Sequence, residues 1–216
     1  MKPRLGYLTA VLVLLAAVLF AGCTSQPSTP QAPVATVSPG EVPPALTTVT
    51  ASLPYGVTLT VPAGWRREDS GASAVRDYGM TTLDIATFYS PAEIAGDTES
   101  YNTLAVDLDQ APGTDFEQYF NQATLAVNKT YATKEQQPVL RSYTVTVSGY
   151  KTYELDFQTP AVKGSYFFTS TENGMYIFAF KGPNKPLAVK ALQLEIQDIF
   201  TSISIHPPGV VVTQQR

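Results

Sequence analysis

The sequence predicts an α+β domain, a three-layer α/β/α sandwich around a central antiparallel sheet. Three observations lead there. The stretch "SYFFTSTENGMYIFAF" reads as a hairpin with apolar residues on both faces, and two separate segments carry apolar residues at helical spacing. A sheet with one face in water would not place aromatics on both faces, so this hairpin belongs in the centre, with a layer above and below it.

The elements follow in order from about Pro54. In "YGVTLTVPAGW", Val57, Leu59 and Val61 alternate with Thr58 and Thr60, the period of a strand with one apolar face, and Pro62-Ala63-Gly64 ends it in a turn. "TLDIATFYS" and "NTLAVDLDQ" are strand candidates separated by "PAEIAGDTESY". The period then changes. Phe116, Phe120, Ala123 and Val127 form one stripe of a helix, and Thr114 and Glu117 have the spacing of a capping box at its start.

Two hairpins come next. "YTVTVSGYKTYELDF" turns at Ser148-Gly149, and the central hairpin turns at Asn173-Gly174, a pair suited to the positive φ angles of a type I′ turn. That turn puts Phe167, Thr169, Tyr176, Phe178 and Phe180 on one face, and Tyr166, Phe168, Met175, Ile177 and Ala179 on the other. After Pro186, the residues Val189, Leu192, Ile196, Ile199 and Ile203 recur at helical spacing and supply the second covering helix.

The N-terminal part has a different character. Lys2 and Arg4 precede an apolar run from Leu8 to Ala21, and Ala21-Gly22 stand directly before Cys23, the only cysteine of the 216 residues. A basic start, a short apolar segment and a small-residue cleavage site make a secretory signal, and the run is short for a membrane span. "FAGC" resembles a lipobox, with Phe20 where leucine is usual, which implies diacylation of Cys23 and cleavage before it. Residues 1–22 are thus read as a signal peptide. Residues 23–52, rich in Pro, Ser and Thr with Glu41 as the one charge, are read as a lipidated cysteine and a disordered tether. Residues 53–206 form the domain, and 207–216 a C-terminal tail.

The same order of elements, with "YGVTLTVPAGW", "DFEQYFNQ", "VSGYKTYELDF", "YIFAFKGP" and "LEIQDIFTSISI", resembles the PsbP family, whose namesake is an extrinsic subunit of photosystem II. The resemblance implies a PsbP-like α/β/α fold in an exported lipoprotein outside photosynthesis. It carries no functional residues: the matching positions Gly64, Trp65, Gly149 and Tyr153 read as structural, and Trp65 as a core or rim anchor.

Little in the sequence points to chemistry. The net charge of −4, made more negative by loss of Lys2 and Arg4, argues against nucleic acid as a partner. His206 is the only histidine and is followed by two prolines, so a nucleophile–histidine pair or a histidine metal site is not expected. Asp107 and Asp109 project from one face of a strand about 7 Å apart and could contribute to a weak Ca²⁺ site. Asn128-Lys129-Thr130 fits an N-glycosylation sequon. The expectation is a lipid-anchored, extracytoplasmic binding or assembly module with a protein partner, and not an enzyme. The alternatives are a carboxylate-dependent hydrolase and a ligand-binding component of a transport system.

Overall fold

The computed structural model describes residues 47–91 and 102–206, with the backbone alone for 186–192. The chain divides into two units after Pro44, and all described residues lie in the second, Ala45–Arg216. The signal, Cys23, the segment between the second and third expected strands, and the C-terminal tail all lie outside the described residues.

The elements are β1 (Thr48–Leu53), β2 (Val57–Pro62), β3 (Arg66–Asp69), β4 (Ser73–Val75), β5 (Thr81–Tyr89), β6 (Thr103–Asp109), α1 (Phe116–Tyr131), β7 (Val139–Val147), β8 (Tyr150–Gln158), β9 (Val162–Thr171), β10 (Gly174–Pro183), α2 (Pro186–Ser202) and β11 (Ser204–Ile205). Seven strands follow the order β3-β5-β6-β10-β9-β8-β7, with β4 also on β5, and a small sheet follows β1-β2-β11. Every pairing is antiparallel. The architecture is α+β.

The β9–β10 hairpin lies between two separate cores. Tyr166, Phe168, Met175, Ile177 and Ala179 meet Tyr119, Phe120, Ala123 and Val127 of α1. On the other face, Phe167, Tyr176, Phe178 and Phe180 meet Ile199 of α2 together with Val57, Leu59 and Val61 of the small sheet. Cover on this second face is therefore shared between α2 and β1-β2-β11. Residues 204–205, too short a run to show a strand period, supply the third strand.

Three local expectations change. The central turn falls on Glu172-Asn173, with Gly174 already paired to Thr171. Asn173 does not have positive φ; Gly174 does, at 123°, and a Cβ there would stand 2.3 Å from the Asp109 carbonyl oxygen. Glycine is needed at the start of the strand and not in the turn, and because the pairing moves by an even step each side chain keeps its expected face. The helix cap is Asp115, whose carboxylate accepts from the Gln118 backbone N–H at 2.8 Å, in place of Thr114.

The domain also begins earlier than the expected residue 53, because residues 48–52 belong to β1. Val49, Ala51 and Leu53 alternate with Thr and Ser, and the whole segment pairs with β2 from Thr48↔Pro62 to Leu53↔Val57. A chain beginning at Leu53 removes this partner. Its melting temperature is expected to fall by about 4 °C or more relative to one beginning at Ala45, since one net kcal/mol moves a domain of this size by roughly 2–4 °C. Equal melting temperatures in a thermal scan would show that β1 adds nothing.

Candidate functional site

The two carboxylates singled out from the sequence part company in the structure. Asp107 is fully buried on the α1 face of β6, where Arg76 Nε donates to its Oδ1 at 3.0 Å and the Tyr78 hydroxyl to its Oδ2 at 2.8 Å. Asp84 lies directly across from it on β5, a like-charge pairing that would be unfavourable alone. The Arg76 guanidinium lies between them, 3.1 Å from Asp84. Burial would lower the Arg76 pKa, but the hydrogen bond and charge of Asp107, with Asp84, raise it instead. Burial pushes the Asp107 carboxyl up, and Arg76 and Tyr78 pull it back only in part. Asp109 turns to the backbone N–H of Ala111 at 3.0 Å. Of the two carboxylates that could contribute to a weak Ca²⁺ site, Asp107 is held in an ion pair by a cation of the chain itself.

The residue after Arg76 builds a second polar cluster. Asp77 Oδ2 accepts from the Tyr131 hydroxyl at 2.6 Å, the Tyr166 hydroxyl at 2.7 Å and Lys181 Nζ at 2.8 Å. Burial works against the charge on Asp77, but Lys181 and the hydroxyls win and hold its carboxyl below the usual range. "RDY" at 76–78 therefore closes the end of the α1 core with satisfied charges. Its signal in the sequence was only a run of ionisable residues before a glycine.

The other expected positions are structural. Trp65 packs partly buried against the α2-side core, Tyr153 lies 4.5 Å from Phe116 and 4.7 Å from Phe120, and Ser148-Gly149 make the expected turn with both φ angles positive. His206 bonds through its backbone N–H to the Gly56 carbonyl at 2.7 Å, and its ring lies 3.0 Å from the Ser204 hydroxyl. Asn128 is half-buried in the last turn of α1, and the Thr130 hydroxyl of its sequon donates to the Asp77 carbonyl.

The candidate site lies on the opposite face, where β8 and β9 pass under α2. Even-numbered residues of β8 project to this side because Leu155 and Phe157 take the α1 side. Glu154, Asp156, Lys163, Ser165, Gln193 and Ile196 line a cleft of about 250 Å³. A second hollow of about 160 Å³ shares Asp156, Lys163 and Gln193 and adds Arg141, which sits across from Asp156 on β7. The Ser165 hydroxyl donates to Asp156. Burial, followed by the neighbouring Asp156 with which it is hydrogen-bonded, pushes Glu154 up to about 7. Among the described residues, Arg141 and Lys163 make no salt bridge within 4.0 Å although carboxylates line the same hollows. Chemically, the cleft offers a proton, an anion and two uncommitted cations.

Comparison with known proteins returns likeness of fold. No protein-family model matches the chain, and no curated protein matches it. Among solved structures, the cyanobacterial PsbP (CyanoP) of Synechocystis sp. PCC 6803 is similar at 12% identity over 78% of this chain and 98% of that one, with a TM-score of 0.48. The Ran-binding protein Mog1p of Saccharomyces cerevisiae is similar at 11% identity over 76% and 97%, with a TM-score of 0.49. LpqN, involved in cell envelope biogenesis of Mycobacterium tuberculosis, is similar at 16% identity over 74% and 90%, with a TM-score of 0.46.

Proposed function

We propose that the chain is a lipid-anchored, extracytoplasmic binding or assembly module that engages a protein partner at the cleft between β8, β9 and α2. One observation carries the reading: buried charges under α1 are matched to partners, whereas this open cleft gathers charges of both signs without mutual salt bridges. Surface charges left uncommitted in a concavity are available to a partner. The anchor rests on Lys2 and Arg4, the Leu8–Ala21 run and Ala21-Gly22 before Cys23, followed by a charge-poor tether. The α/β/α layering is supported by the two separate cores, with the small sheet joining α2 in the outer layer.

A carboxylate-dependent hydrolase is the second reading. A Glu154 that holds a proton near neutrality beside Asp156 pairs an acid with a base. The two readings separate in one experiment on intact cells, with a photo-crosslinking residue at exposed Gln193 and, as control, at exposed Leu125 on α1. The binding reading expects one discrete partner from position 193, lost on Lys163→Glu and absent from position 125, and release of the protein from membranes by Cys23→Ser. A partner captured from 125 alone would move the interface to α1. Normal maturation and membrane fractionation of Cys23→Ser would remove the anchor.

A further inference from the structure

Deepening that reading, and resting on it, we propose that the cleft recognises a zwitterion pairing a guanidinium with a carboxylate, as in arginine free or at the C-terminus of a peptide. Glu154 and Asp156 stand two residues apart on β8, and both line the 250 Å³ cleft with the apolar wall of Ile196. Two adjacent carboxyls match the fork of a guanidinium, which accepts planar, bidentate partners better than an ammonium does. Lys163 and Arg141 border the adjoining hollow, and neither forms a salt bridge with the carboxylates beside it. A purely cationic ligand would leave those two cations unanswered. A ligand bearing both signs bridges the gap. The size agrees, since each hollow is smaller than the roughly 300–1,000 Å³ of sites for drug-sized ligands, and so suits one residue.

The charged groups lining the cleft with Glu154 are Asp156 on its own strand and Lys163 on β9, with Arg141 of β7 in the adjoining hollow; the described lining from α2 is Gln193 and Ile196, neither ionisable. The proton that burial and Asp156 hold on Glu154 must leave when a guanidinium enters, so affinity rises with pH through about 7.

The test is titration of the isotope-labelled full chain, followed by backbone amide NMR, with L-arginine, the peptide Gly-Gly-Arg, agmatine, acetate and CaCl₂ as probes. L-Arginine or Gly-Gly-Arg is expected to move the amides of residues 154–156, 163–165 and 193, tighter binding of one of them naming the source. Agmatine and acetate, each carrying half of the charge pair, are expected to bind at least about tenfold more weakly, one charge-assisted contact being worth roughly that factor. Glu154→Gln and Lys163→Gln, both at half-buried positions, should each weaken L-arginine about tenfold while unfolding at wild-type temperature. Agmatine binding as well as L-arginine, CaCl₂ moving the same amides more strongly, or no movement with any probe would each overturn the proposal. A partner crosslinked from Gln193 in the absence of arginine binding would sink this inference and leave the binding reading standing.

Discussion

Arg76→Leu is expected to cost the domain about 3–5 kcal/mol, the range for removing one partner of a buried ion pair. The substitution leaves Asp107, with no exposed surface, facing Asp84 across two strands without the guanidinium between them. The cost is desolvation without compensation and not the loss of an attraction. It follows that Arg76→Leu combined with Asp107→Leu should recover at least half of the loss, because apolar residues of similar volume replace buried pairs at little or no cost. Denaturant unfolding of the single and double variants decides the matter. A single-variant loss under about 1 kcal/mol would mean that the pair behaves as a solvent-screened surface bridge.

Phe178→Ala and Ile177→Ala are expected to destabilise by about 3–5 and 2–5 kcal/mol respectively, although the two residues are neighbours on one strand. Both are fully buried, Phe178 in the core beneath α2 and the small sheet, Ile177 in the core beneath α1. In an open-faced sheet, one of two adjacent residues would point to water and change stability by about 0.5 kcal/mol or less. Leu125→Ala on the outer face of α1, where Leu125 is 70% exposed, supplies that reference value. Equilibrium unfolding giving one large and one negligible loss would remove a layer from the fold.

The fold was legible where side-chain period and burial say the same thing. Val57, Leu59 and Val61 alternate and are buried; Phe120, Ala123 and Val127 recur along a helix and are buried. The central hairpin kept its faces through an error in its turn, because a strand has period two and the register moved by an even step. β1 was less visible because Thr and Ser in a proline-rich neighbourhood read as tether, and pairing with β2 is a property of two segments together. β11 is two residues long.

The candidate cleft was illegible for a related reason. Glu154 and Asp156 alternate on β8 in the manner of Asp107 and Asp109 on β6, and nothing local tells the two pairs apart. What separates them is the third dimension: Arg76 arrives at Asp107 from 31 positions away, whereas no described cation forms a salt bridge with Glu154. "VDLD" and "YELDF" therefore look alike as text and differ as chemistry.

The short pairing of β11 with β2 also sets the order in which the protein can mature. The Thr60 backbone N–H is bonded to the Ser202 hydroxyl 142 positions away, Ser204 and Ile205 pair with Thr58 and Val57, and the His206 backbone N–H closes on the Gly56 carbonyl, while a Cβ on residue 56 would stand 1.9 Å from the His206 carbonyl oxygen. The second edge of β2 is thus closed by the last described residues, and loop closure over that span must precede the reward of contact. A nascent chain held short of Ile205 keeps Val57 and Thr58 without their second partner strand, so the small sheet completes itself only after synthesis has passed Ile205. Chains cut short there would leave the β2 edge at Val57 and Thr58 open to pairing with another chain.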